Sequence, residues 1–461
     1  MNKNLFFSIT FFTILHLATY GQDVVELSLE EAQQMAVEKN RELQNARYDV
    51  DIAEEQYKEN RGQGLPQVSG SFDYMTNFGY EAELNFGGGG GTTTPVIDYT
   101  QFDAGDIEIM KILSAMTSSG PTTIKMSDQS NAQLQLTQLL FGGQYWVGLK
   151  TAKIAQSLAK KSVELAENDV KEQVINTYQL ILTSEAIVRV IDKSVADLEA
   201  MKKHTENMVN AGIAEQTDVD QISITVSQRT NQKRSMERGI NLNYNMLRYQ
   251  VGMDSDVEVR LTESLESLVE SLDVASALAQ AHEVSANPGF QIVEIQQELQ
   301  ETVVNLEKWS YAPVLTGFYS YTEKLMTSGF DLSPNHAAGI NLSIPIFSSG
   351  VRKSKVQKAK IELEKISVNM DILEEQLKIQ YNQLKFNLTS ALENYNTQKE
   401  NIEVAARILK TMENKFKQGL ISSLELTQVN SNYLQANSDF LSATLELMQA
   451  HVQLKKLFNE L

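Results

Sequence analysis

The 461-residue chain has no cysteine. Disulfides, thiolate nucleophiles and cysteine-based metal sites are therefore excluded, as is lipid attachment through an N-terminal cysteine. Histidine is scarce as well: beyond His16 in the N-terminal segment, His204, His282, His336 and His451 stand isolated, with no His-Glu-x-x-His or comparable ligand spacing. There is no Gly-x-Ser-x-Gly, and the run Gly87–Gly91 lacks the Gly-Lys-Ser/Thr and following helix of a phosphate loop. The acidic residues are spread along helix faces, as solvation requires. The chain thus reads as a non-enzyme with no cofactor and no metal. Positive charge is also in deficit: 40 Lys and Arg against 59 Asp and Glu leave a net charge of −19, which argues against nucleic acid and anionic lipid heads as partners. Long apolar runs are missing after the N-terminus. No stretch there approaches the ~18 apolar residues of a membrane-spanning helix.

The N-terminus itself carries a basic flank at Lys3, a short apolar run Leu5–Leu17, and small residues through Ala18-Thr19-Tyr20-Gly21 before Gln22. That order predicts a secretory signal over residues 1–21, cleaved near Gly21–Gln22, so the mature chain crosses the inner membrane.

What the chain has in abundance is heptad pattern. From Val356 a 3-4 seam runs through Ala359, Leu363, Ile366, Met370, Leu373, Leu377, Tyr381, Leu384, Leu388, Ala391 and Tyr395. It resumes at Ile402 and continues through Ala405, Leu409, Met412 and Phe416. The stretch Val351–Phe416 contains no proline or glycine, so it predicts one helix of roughly 100 Å at about 1.5 Å per residue. After Gln418-Gly419-Leu420 a second seam runs from Val429 to Leu461, giving an antiparallel helical hairpin.

The second half repeats the first. Asn40 and Pro66 match Asn287 and Pro313 at one offset; Phe141-Gly142-Gly143 and Gly212 match Phe347-Ser348-Ser349-Gly350 and Gly419 at a shorter one. The difference predicts an insertion in the first half, in the glycine-rich segment between 81 and 130. Each half reads helix, strand, strand, long helical hairpin: residues 22–252 and 273–461, with an acidic, irregular linker over 253–272 that forms a small side structure. Ser28-Leu29-Glu30-Glu31 is a capping box that predicts a helix running to Arg61.

The strands alternate with period two. Phe72, Tyr74, Thr76, Phe78 and Tyr80 share one face, as do Leu134, Leu136 and Leu140, and Ile340, Leu342, Ile344 and Ile346. About ten residues is the length of a bilayer-spanning strand. Trp146, Trp309 and Tyr311 cluster where helix meets strand and read as membrane-interface aromatics, a position a core aromatic at a helix end also fills. Four strands cannot close a barrel, and open edges cannot sit in lipid. The chain must oligomerise; two copies give eight strands, and three give twelve with room for a lumen.

This combination resembles the TolC-type outer-membrane efflux protein family, over essentially the whole mature chain. The resemblance rests on the duplicated plan, on Asn40/Asn287 with Pro66/Pro313, on the Phe-x-Gly-like strand exits, and on the turns at Ala211–Val219 and Gln418–Leu426. It implies an α+β fold in which helical hairpins form a periplasmic tunnel and a homotrimer builds a twelve-stranded barrel in the outer membrane of a Gram-negative bacterium. It also implies docking to a periplasmic adaptor and an inner-membrane pump, with Gly212, Ile213, Gly419 and Leu420 as adaptor-contact turns, a position where a plain helix C-cap also calls for glycine. Two features depart from the family pattern: the long glycine-rich insertion, and Ile421 where some relatives carry a gating arginine. Asp218 and Glu425 lie six residues after the two turn glycines, equivalent in the repeat, and with Thr217 they are the expected periplasmic gate. Ser422-x-x-Glu425 is also a capping box, and Thr217 is a candidate cap with Asp220. The function expected is an exit duct of a tripartite efflux or type I secretion system. The alternative from another class is a periplasmic coiled coil or adhesin that uses its hairpins only as an anchor.

Overall fold

The computed structural model describes residues 24–84, 122–125, 128–326 and 333–461. The expected signal segment and the Gly87–Gly91 run lie outside them. The chain divides into two compact units, one of Met1–Glu54, Ile154–Gln300 and Ile361–Leu461, the other of Glu55–Lys153 and Glu301–Lys360.

In chain order the elements are β1 (Val25–Leu27), α1 (Leu29–Lys39), α2 (Arg41–Gly62), β2 (Gln67–Met75), β3 (Glu81–Leu84), β4 (Thr122–Lys125) and β5 (Gln129–Gly142). Then come α3 (Gly143–Asn210), α4 (Gln216–Gln250), β6 (Val259–Leu261), α5 (Leu265–Glu270) and α6 (Val274–Ala279). The chain continues with α7 (Pro288–Trp309), β7 (Val314–Met326), β8 (His336–Ser343), α8 (Val351–Lys417) and α9 (Ser423–Leu457).

In the first unit the capping box at Ser28 forms as expected, with Ser28 N donating to Glu31 Oε2 at 2.9 Å and Glu31 N to Ser28 Oγ at 3.2 Å. The helix it starts does not reach Arg61 unbroken. Asn40 leaves helical geometry at φ −61°, ψ 130°. Its Oδ1 accepts from Glu42 N and Leu43 N at 2.9 and 3.1 Å, capping α2, while its Nδ2 donates to Gln250 O at 2.8 Å. Asn287 repeats the device before α7: Phe290 N donates to its Oδ1 at 3.2 Å, and its Nδ2 reaches Leu457 O at 3.4 Å. In each half, then, one asparagine caps a helix and ties it to the carboxyl end of that half's last helix. Gly252 secures the same corner. Its φ is +70°, and a Cβ there would stand 2.4 Å from Lys39 O, so only glycine fits.

Every seam residue from Val356 to Phe416 is buried or half-buried, with Leu388 and Ala391 at 0% and 1% exposure. Three apolar clusters hold this unit. Tyr178, Leu247, Val251 and Met448 gather with Leu27 and Ala36; Leu388, Ala391, Leu447 and Leu454 gather with Phe290; Leu198, Met201, Ile222, Leu409, Phe416 and Leu426 form the third. Burial of that kind contributes roughly 25 cal/mol per Å² of apolar surface. β1 pairs in parallel with β6, and Tyr178 Oη donates to Leu27 O at 3.1 Å below them.

The second unit is built on a four-stranded antiparallel sheet in the order β2-β5-β7-β8, with β3 and β4 paired separately. Two expected strands end early. β2 stops at Met75 because Asp128 gathers Tyr74 Oη, Thr76 Oγ1 and Asn77 N at 2.9, 2.8 and 3.2 Å, and Phe78 turns to φ +49°. Thr76, Phe78 and Tyr80 therefore do not continue the strand face. β8 stops at Ser343, leaving Ile344 and Ile346 outside it; Pro345 has no N–H to offer a ladder.

Candidate functional site: two helical turns and a two-faced sheet

The two hairpin turns, both in the first unit, have the same construction. Ile213 N donates to Met208 O at 2.8 Å and Leu420 N to Lys415 O at 2.9 Å, with Gly212 at φ +71° and Gly419 at φ +69°. These are Schellman endings with glycine in the left-handed position. The helix C-cap thus accounts for both glycines, and the residues beside them carry the exposed surface: Ile213 and Leu420 are 71% and 67% exposed.

Three residues past each glycine sits the N-cap of the returning helix, Glu215 for α4 and Ser422 for α9. Asp218 and Glu425 accordingly occupy the same third position of the first turn. Glu215 N donates to Asp218 Oδ2 at 3.3 Å, and Glu425 N donates to Ser422 Oγ at 3.2 Å. Thr217 is not a cap for Asp220. Its hydroxyl donates to Glu215 Oε2 at 3.1 Å, because the cap lies two residues earlier than the sequence pattern implied. Asp218 and Glu425 line one groove of about 430 Å³ between the turns, with Ile213, Gly419 and Leu420 along it. Ile421, at the departure from the family pattern, packs on the cluster of Phe416 and Leu426.

The sheet of the second unit has two chemically distinct faces. Val68, Phe72, Tyr74, Leu134, Leu136, Tyr319, Ile340 and Leu342 share one, and all are exposed large hydrophobic residues. The register puts Gln67, Ser69, Ser71, Gln133, Gln135, Thr137, Thr316, Thr322 and Asn341 on the other, with Phe318 and Met75 as its exposed hydrophobic residues. Such a sheet suits lipid on one side and water on the other. Among the described residues its outer strands β2 and β8 each pair on one side only, and an unpaired edge is a template for a further strand.

The three aromatics expected at the membrane interface lie at this sheet's helical end. Trp309 fills the space above Gly143, where a Cβ would be 2.0 Å from its ring. Trp146 stacks edge-on against Tyr145, ring centroids 5.1 Å apart. Trp146, Trp309 and Tyr311 are 65%, 45% and 51% exposed. Tyr145, which sequence reasoning passed over, fills the space beside Gly64 and donates to Arg61 O at 3.1 Å. Among the described residues no group of His, Asp or Glu is placed to hold a metal ion, and no helix is long and apolar enough to cross a membrane.

The sequence matches the family described as "Outer membrane efflux protein" over residues 32–253 and 283–460, two segments that follow the internal duplication. No curated protein matches it. Solved structures share its fold, among them three from different bacteria. The CmeC outer membrane channel of Campylobacter jejuni is 14% identical with a TM-score of 0.69, covering 94% of this chain and 85% of its own. VceC of Vibrio cholerae is 13% identical with a TM-score of 0.68, covering 94% and 96%. The MtrE outer membrane channel of Neisseria gonorrhoeae, in its open state, is 14% identical with a TM-score of 0.68, covering 94% and 88%.

Proposed function

The chain belongs to the outer membrane efflux protein family, and from that premise we propose that it is the passive exit duct of a tripartite efflux or type I secretion system. The observation that carries the reading is the sheet: one apolar exposed face, one polar face, and two strands with a free edge. Three chains would join β2 of one to β8 of the next and close twelve strands around a polar lumen. The barrel sits in the outer membrane and the helical hairpins extend into the periplasm. Their turns meet a periplasmic adaptor through Ile213 and Leu420, and an inner-membrane pump supplies the cargo. Asp218 and Glu425 form the charged part of the periplasmic gate, six carboxylates in a trimer. Like charges brought together attract cations and resist tight closure. A merely anchored coiled coil would have no use for the polar face of the sheet. The test is light scattering in detergent, corrected for bound detergent. Three chains per particle are expected; a monodisperse monomer would contradict the reading.

A further inference from the structure

Where the sheet meets the helices, the second unit holds a cavity of about 430 Å³, within the ~300–1,000 Å³ range of small-molecule sites. Gln67, Thr137 and Thr316 reach it from the polar face of the sheet; Asn60 and Gln144 reach it from α2 and α3, and Gln63 from the turn after α2. Tyr145 adds an aromatic wall, and Leu139, Leu149 and Val314 complete the lining with apolar surface. No charged residue lines it, although charged residues make up 21% of the chain. From this lining we propose that the cavity is a luminal binding subsite for neutral polyhydroxylated solutes, oligosaccharides in particular. The inference rests on the duct reading, since it takes the polar face as the lumen wall.

The chemistry selects by what it offers. Three carboxamides and two threonine hydroxyls can each donate and accept, which matches a run of sugar hydroxyls; the fourth carboxamide, Gln67, already donates to Gly62 O and Leu65 O at 2.8 and 3.2 Å and offers its oxygen. An aromatic ring supplies a flat apolar surface for a sugar face to stack on. An ion finds no opposite charge there to offset its lost hydration. An apolar drug would find a surface only on Leu139, Leu149, Val314 and the Tyr145 ring, and would leave the amides unpaired, at a cost for each group. The charged groups of this face lie farther along the strands: Asp73 and Lys324 both flank Asn131 in the register.

The experiment uses the full-length protein reconstituted in a planar bilayer, with the chain count per particle checked beforehand. Maltohexaose is added, and polyethylene glycol of matched hydrodynamic size serves as the control. Maltohexaose should interrupt the single-channel current in resolved events that polyethylene glycol does not produce. In the Gln63→Leu, Gln144→Leu double variant their dwell time should fall about tenfold. A steady current with no sugar-specific interruptions overturns the subsite and leaves the duct intact. Equal interruptions by both polymers, or unchanged dwell times in the variant, overturn it too. No current at all overturns the duct reading itself.

Discussion

At the scale of single residues, the third position after each N-cap decides how charge is arranged at the turns. Asp218 serves as a cap acceptor for Glu215 N, and an asparagine there can accept the same bond. The Asp218→Asn, Glu425→Gln double variant should therefore fold and assemble, with weaker cation selectivity and weaker block by multivalent cations in bilayer recordings. Unchanged selectivity would leave Asp218 as a cap and Glu425 as a first-turn residue, and end the gate assignment. Two histidines give a separate prediction. Burial lowers the pKa of His282, stacked flat on Tyr381 at 5.3 Å and near Phe458 at 6.1 Å. Burial and Lys455 lower that of His451, against a smaller upward effect of Asp273. A base whose folded pKa is depressed favours the folded state above its unfolded value of 6.5, and that stability is lost as pH falls below it towards the folded value. The melting temperature should thus fall between about pH 7.5 and about pH 5, and His282→Phe, which keeps the stack without a proton site, should lessen the fall. An identical fall in the variant would refute the assignment.

At the scale of elements, the turn glycines and their neighbours separate stability from contact. Gly212→Ala and Gly419→Ala should each cost about 1 kcal/mol, since a left-handed residue with a Cβ is strained. Ile213→Ser and Leu420→Ser should leave melting unchanged and lower export in cells, because their side chains are exposed. Full export in both would remove these turns from the adaptor surface. The glycines were legible as turns from sequence, and so were the seams, since period and length alone specify a long helical hairpin. The break at Asn40 was not. Apolar spacing continues across it, and there Asn40 both caps α2 through Glu42 N and Leu43 N and donates to Gln250 O, distant in sequence. The ends of β2 and β8 depend likewise on Asp128 and on Pro345. The cavity amides carry no sequence signal of their own: they fall on the polar half of the period-two alternation and at helix ends, where polar residues are the rule.

At the scale of the whole molecule, duplication, a two-faced sheet and long helical hairpins are what the proposed channel of several chains requires. Family membership and the shared fold of CmeC, VceC and MtrE support an outer-membrane channel. The central claim is conduction. Single-channel recording of the purified, full-length oligomer in a planar bilayer tests it most directly. The account predicts discrete, reproducible conductance steps that scale with bulk conductivity, as a water-filled lumen requires. A preparation shown to be trimeric and inserted that passes no current would contradict it.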